Sequence, residues 1–327
     1  MTTRRRLGRW RSHMIRALGD AIAPRGIGSG RLCIVNYHRV MESFDPLLDS
    51  EPDVDTFRWQ MELLAECFNV LPLHAAVQSL VAHRMPPRAV CITFDDGYAS
   101  THDVALPILS ELKLPATVFV TTGYLDQGVM WNDKIIEAVR HLPGERLDLR
   151  AAGLAEYSLR TIDDRKQTIQ RLTEDSKYLP PAARHDLTLR LQDMAGGVRT
   201  DGLMLTREKV CKLAQAGIEI GAHTISHPIL TSLEDEAARE EIAAGKEQLE
   251  AITGRPVRLF AYPNGKAGMD FDTRHVAMAR EAGFDAAFTT AIGAATKGHD
   301  RYQIPRSRPW DATPFRFGAR LLRWLAR

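Results

Sequence analysis

The chain has 327 residues, 44% apolar and 26% charged, the balance of a folded globular protein, which excludes a disordered, collagenous or low-complexity chain. No run approaches the roughly 18 uninterrupted apolar residues that span a bilayer, and the four cysteines (Cys33, Cys67, Cys91 and Cys211) contain no CxxC pair, so they read as small buried hydrophobes of a reducing compartment. The net charge of +2 is unevenly laid out: residues 1–16 and 301–327 each carry +6, leaving about −10 between them, so an anionic partner meets the ends.

Residues 1–30 form a basic segment in which Leu7, Trp10, Met14, Leu18 and Ile22 recur at helical spacing among arginines. Arg9, Arg11, Arg16 and Asp20 interrupt any apolar core of a signal peptide, so secretion by that route is not expected. Seven short β-branched runs follow as strand candidates: Leu32–Asn36, Phe68–Leu71, Ala89–Phe94, Ala116–Thr121, Ile218–Ala222, Val257–Ala261 and Ala286–Thr289. Amphipathic stretches separate most of them: Phe57–Phe68, Asp103–Leu112, Thr206–Ala216, Leu233–Thr253 and Thr273–Ala282. Alternating β and α units predict a parallel sheet. A closed or nearly closed β/α barrel fits better than a doubly wound sheet, because no Gly-rich nucleotide turn follows an early strand.

Trp131–Asp201 breaks the rhythm, being charged, helix-prone and without a strand-like run, and is expected to be a helical insertion after the fourth strand that covers the barrel mouth. Residues 31–311 would then be the barrel and 312–327 a basic amphipathic tail, in which Phe317, Leu321, Leu322, Trp324 and Leu325 alternate with Arg316, Arg320, Arg323 and Arg327. Both ends have the pattern of interfacial segments; the alternative is terminal helices packed on the body with solvated arginines.

Polar clusters stand where the strands end. The first strand runs to Asn36-Tyr37-His38, the third to Asp95-Asp96-Gly97, the fifth to His223-Thr224-Ile225-Ser226-His227 and the sixth to Tyr262-Pro263-Asn264-Gly265. In a parallel barrel these carboxyl ends share one face, the catalytic one. Asp-Asp-Gly alone is an ordinary turn, and His-x-x-x-His alone is weak. Together, two imidazoles and a carboxylate make the ligand set of a catalytic divalent ion, and the spare carboxylate beside them can accept a proton.

Thr93-Phe94-Asp95-Asp96-Gly97, His223-Thr224-Ile225-Ser226-His227 and Phe260-Ala261-Tyr262-Pro263-Asn264-Gly265 resemble, in order, the three motifs of the polysaccharide deacetylases (NodB-homology, carbohydrate esterase family 4), with a leaning to the exopolysaccharide deacetylase branch. The resemblance spans about residues 31–310. It implies a deformed (β/α)7 barrel and metal-dependent hydrolysis of an N-acetyl group from an amino sugar. It assigns Asp96, His223 and His227 to a divalent metal, zinc being the expected ion, Asp95 to the general base, the Tyr262 amide to the oxyanion, and Thr224 to steadying the histidine loop.

Two departures follow. Ala261 stands where many members carry an arginine that braces the base; Arg306 is the candidate replacement, against its alternative as an ordinary surface arginine. No Leu-x-x-His supplies the general acid, and His299 does not match. His38, in a Tyr-His pair like that of the exopolysaccharide branch, is the candidate, against a strand-end histidine bonded to backbone.

The expected substrate is an N-acetylglucosamine-type residue of a cell-surface polysaccharide or its lipid-linked precursor, worked on at the cytoplasmic face of an anionic membrane through the basic ends; nucleic acid is not an expected partner. Two other readings stay open: a barrel amidase on a non-sugar amide, and an inactive carbohydrate-binding relative.

Overall fold

The computed structural model describes residues 30–126, 128–197, 202–308 and 311–326, so the stripe from Leu7 to Ile22 lies outside the described residues. Strands form at all seven expected places: β1 (Leu32–Tyr37), β2 (Asn69–Val70), β3 (Ala89–Phe94), β4 (Thr117–Val120) and, after a hairpin of β5 (Arg146–Asp148) and β6 (Glu156–Ser158) inside the insertion, β7 (Glu219–Ala222), β8 (Leu259–Ala261) and β9 (Ala286–Phe288). Apart from the hairpin they make one parallel sheet in the order β1-β3-β4-β7-β8-β9, with β2 beside the first half of β3. β1 and β3 are buried along their whole length, as parallel strands covered on both faces must be.

Residues 304–307 shut the sheet. Ile304 exchanges hydrogen bonds with β9 (to Ala287 O, 3.0 Å, and from Thr289 N, 2.9 Å), and Ser307 does so with β1 (to Ile34 O, 2.8 Å, and from Asn36 N, 3.1 Å). Both contacts run parallel, so this segment fills the gap as a further staff of the barrel. Alternation then sorts the side chains. Ile34, Cys91, Phe119, Ala261 and Phe288 pack in one cluster, while Cys33, Val35, Val90, Ile92 and Val118 pack with the surrounding helices. Asn36, Thr93 and Asp95 continue the parity of Ile34 and Cys91, which delivers polar groups to the inner side at the strands' carboxyl ends.

Helices start and stop where local chemistry allows. Asp53 caps Val54–Cys67 by accepting from Thr56 N at 2.8 Å, Thr206 caps Arg207–Gln215, and Gly254, left-handed at φ 64°, ends Asp235–Thr253. The expected helix over Asp103–Leu112 divides into a π turn, Thr101–Ala105, and an α segment, Leu106–Glu111, because Pro107 cannot donate to the ladder. A helix absent from the sequence reading, Leu73–Val81, lies between β2 and β3.

The insertion has its own core. Helices Trp131–His141, Ile162–Lys177 and Pro181–Met194 enclose Ile135, Val139, Leu149, Leu172 and Leu191 together with Leu147 and Tyr157 of the hairpin. The absence of strands expected there is corrected: each strand has three residues with a single buried one, too short for alternation to register in sequence.

The C-terminal segment takes the second of the two forms expected of it, a terminal helix packed on the body. Pro314–Ala326 is a helix whose apolar stripe is spent on the barrel: Phe317, Leu321 and Leu322 are buried, Phe317 meets Trp59 edge-on at 5.6 Å, and Leu321 O accepts from Cys33 Sγ at 3.6 Å. Leu321 therefore has no face left for a bilayer, and Trp324 and Leu325 pack partly against the same core. Phe317→Ala is expected to cost about 3–5 kcal/mol in urea unfolding; a loss under about 1 kcal/mol would mean that the helix only rests on the surface.

Candidate active site

The chain leaves β3 through Asp95 and Asp96 in opposite directions. Asp95 is still tied to the sheet, donating its amide to Tyr37 O at 2.9 Å, while Asp96 is left-handed at φ 73° and Gly97 follows at φ 87°. A Cβ on Gly97 would sit 3.1 Å from Val120 Cγ1, so glycine is needed on steric as well as conformational grounds.

Asp96 turns toward two histidines, with Oδ1 3.4 Å from Nε2 of both His223 and His227. His223 Nδ1 donates to Ala261 O at 2.7 Å, which fixes the tautomer and leaves Nε2 as the acceptor on the site side. Asp96 Oδ1 is buried with no hydrogen-bond partner, and one ligand atom from each residue lies within 4.8 Å of the others. A carboxylate oxygen left bare beside two imidazoles fits a divalent cation, since a buried charge without a partner is costly. Despite burial, the histidines hold the Asp96 carboxyl far below its usual range. Burial, reinforced by His223, depresses His227 to about 4, so both groups are ready as ligands.

The histidine loop is strained and braced. Thr224 and His227 are left-handed, at φ 66° and 53°, and the Thr224 hydroxyl accepts from His227 N at 3.1 Å while donating to His223 O at 2.5 Å. Glu241, which the sequence reading missed, accepts from the amides of Ile225 and Ser226, both at 2.8 Å, and from Ser226 Oγ at 2.5 Å. One turn further along the same helix, Gly245 brings the helix under the loop; a Cβ there would come within 3.1 Å of the Thr224 carbonyl carbon.

Asp95 meets Arg306 in a two-pronged pair, Oδ1 to Nη1 at 2.6 Å and Oδ2 to Nη2 at 2.8 Å. Arg306 is not a surface residue: its side chain is 0% exposed, carried inward by the barrel-closing segment and laid 4.9 Å over the Phe119 ring. Asn36 Nδ2 adds a third bond to Asp95 at 2.9 Å. Burial alone would raise the Asp95 carboxyl, but Arg306 and then His223 outweigh it and keep the group ionised, below its ordinary value.

His38, at the carboxyl end of β1, presents a buried Nδ1 with no hydrogen-bond partner, so it is not capped by backbone at that atom. Its neighbour Arg39 donates to Asp133 at 3.2 Å and lies 5.0 Å over Tyr98, whose hydroxyl also reaches Asp133 at 3.1 Å. His299 is exposed and bonded within its own loop.

Tyr262 requires a correction. Its amide donates to Phe288 O at 3.0 Å, its ring stacks on Phe271 at 3.8 Å and its hydroxyl donates to Tyr302 O at 3.1 Å, so neither end is free for an oxyanion. After Pro263, which has no N–H, Asn264 turns left-handed at φ 58°, and its amide finds no acceptor among the described residues.

Residues 82–287 match the family model for polysaccharide deacetylases, and the chain belongs to that family. Among individual proteins, it is similar to YxkH of Bacillus subtilis (strain 168), 29% identical over 104 residues, which is 32% of this chain and only 36% of that relative's length. The fold is shared with the Streptococcus pyogenes deacetylase PplD (TM-score 0.60, 18% identity, covering 90% of this chain and 98% of that one) and with IcaB from Ammonifex degensii (0.58, 19%, 92% and 99%). It is also shared with the deacetylase domain of BpsB from Bordetella bronchiseptica (0.53, 18%, 87% and 98%).

Burial pushes Asp133 up to about 7, with Asp96 and Glu137 adding to it and Arg39 and Tyr98 opposing. The folded protein thus holds this proton more tightly than the unfolded chain, so Asp133 makes stability fall as pH rises from about 4 to 7, with no further change above. The unfolding free energy of wild type relative to Asp133→Asn is expected to decrease between about pH 5 and 7.5; parallel pH profiles would show Asp133 to be ionised throughout.

Proposed function

We propose that the protein is a metal-dependent deacetylase that hydrolyses the N-acetyl group of N-acetylglucosamine-type residues in a cell-surface polysaccharide or its lipid-linked precursor. The observation that carries this reading is the bare Asp96 oxygen between two oriented imidazoles, beside a second carboxylate held ionised by Arg306. Asp96, His223 and His227 would hold the ion, with zinc favoured by the N,N,O donor set. When bound, a divalent metal supplies Lewis acidity toward an acetamide carbonyl and makes water a stronger acid.

The chain's own groups divide the proton traffic. Asp95 accepts the proton of the attacking water, and Arg306 with Asn36 fixes the direction of its lone pairs. His38 donates a proton to the departing sugar nitrogen as the C–N bond breaks, releasing acetate and a free amine. The Asn264 amide, without an acceptor among the described residues, would donate to the carbonyl oxygen as it gains charge.

Asp96→Ala, His223→Ala and His227→Ala are expected to lose bound zinc, measured by elemental analysis, together with acetate release from chitooligosaccharides. Asp95→Asn and His38→Ala should keep zinc and lower kcat by about 10²-fold or more. Equal zinc loss in all five variants, or turnover of cyclic or peptide amides alone, would overturn the assignment.

Work at an anionic bilayer is the second half of the proposal, and it rests on the outer side of the C-terminal helix. A groove of about 560 Å³ there is lined by Phe315, Arg316, Arg320, Arg323 and Trp324, with Arg320 already paired to Asp311. No helix among the described residues is long and apolar enough to cross a membrane; the arginines of this groove would attach it by surface charge. Phosphatidylglycerol vesicles should co-sediment the protein at low salt, and Arg316→Gln with Arg323→Gln should weaken this several-fold; indifference to anionic vesicles would remove the membrane placement.

A further inference from the structure

The helical insertion is fastened to the barrel mouth at two buried carboxylates. At its start Asp133 meets Arg39, next to His38 in sequence, and Tyr98, two residues after Asp96; at the end of its second helix Lys177 donates to Asp270, 0% exposed, at 3.0 Å in the loop after β8. Trp131 and Arg184 belong to the same stretch. Arg184 Nη1 donates to Lys177 O at 3.1 Å, and its guanidinium lies 4.8 Å over the Trp131 ring.

Arg184 is half-buried, yet among the described residues it reaches no carboxylate and no acceptor besides Lys177 O. Arg39 pairs with Asp133, Arg140 with Asp45, Arg306 with Asp95 and Arg308 with Glu51, while Arg165 of the same insertion donates to two carbonyls, Val139 O and Leu142 O. A half-buried guanidinium laid over an indole face keeps its remaining donors free to receive an anion. Tyr124 connects it to the reactive centre, because it packs against the cluster of Tyr98, Met130 and Met204, Met130 being the residue before Trp131, and its hydroxyl donates to Ser226 O at 3.0 Å, one residue before His227. Thr122 Oγ1, a buried hydroxyl able to donate, also has no partner.

We propose that Arg184, Trp131 and Tyr124 form an anion subsite beside the deacetylation centre, which selects amino sugars carrying a phosphate or carboxylate on or next to the N-acetylated residue. The inference rests on the deacetylase reading and narrows its substrate class. The test compares kcat/KM for acetate release from neutral N,N′-diacetylchitobiose, N-acetylglucosamine 1-phosphate and a disaccharide of glucuronic acid and N-acetylglucosamine. At low salt the wild type should favour one anionic substrate about tenfold or more over the neutral one, with the advantage fading as salt is added. The favoured arm identifies phosphate or carboxylate. Arg184→Gln should bring the anionic-to-neutral ratio toward one, mainly through KM, and Arg184→Lys should restore part of it. An absent preference in the wild type, or a ratio unchanged in a folded Arg184→Gln protein, overturns the subsite, and the wild-type salt series decides alone if the variants do not fold. Should no substrate release acetate, the deacetylase reading fails, while the subsite is still read from the emission change on adding either anion, using the component that Trp131→Phe removes: loss of that change in Arg184→Gln supports the subsite, and no change in the wild type overturns it.

Discussion

A carboxylate and a guanidinium meet inside an apolar barrel, and burying that pair is the constraint around which the rest is arranged. Removing two charges from water costs several kcal/mol each unless their remaining donors and acceptors are satisfied. Here Asp95 takes both prongs of Arg306 and the Asn36 amide, while Arg306 lies against the faces of Phe119 and Phe288 and its Nε approaches Thr289 O at 3.4 Å. The strand ends, the inner aromatic residues and the closing segment are each needed at one place to keep this pair supplied.

The pair also explains how two adjacent carboxylates acquire different tasks. Asp95 stays in register with the sheet and faces Arg306, whereas the left-handed turn at Asp96 swings the next side chain to the histidines. Strain in the histidine loop is borne from beneath, where Glu241 gathers two consecutive amides and Gly245 allows the helix to approach. The insertion is tied to the barrel's loops at two places, Asp133 with Arg39 and Lys177 with Asp270.

What the sequence discloses follows from the range of the signal. Strands buried on both faces give continuous apolar runs, and all seven were legible, as was the convergence of the residues that follow them. Arg306 could be picked out because the third motif holds Ala261 where a cation is needed, although nothing local marked it as buried. The role expected of the Tyr262 amide failed because pairing with Phe288 O depends on β9, a partner that the motif cannot announce. Glu241 reads as one more solvated acid on a charged helix, and only the packing of that helix under the histidine loop reveals its purpose. The tail left two readings open because an amphipathic stripe has the same pattern whether it covers Trp59 or a bilayer.

The position of Arg306 has a temporal consequence. The strip of chain that seals the barrel between β9 and β1 is the strip that brings the guanidinium to Asp95, so shape and reactivity are completed in a single step. During synthesis, β3 and the histidine loop can be in place while the gap is still open, but Asp95 would then lack its counter-charge. A barrel that opened at this seam would part Asp95 from Arg306 while leaving Asp96, His223 and His227 on their own strands and loop.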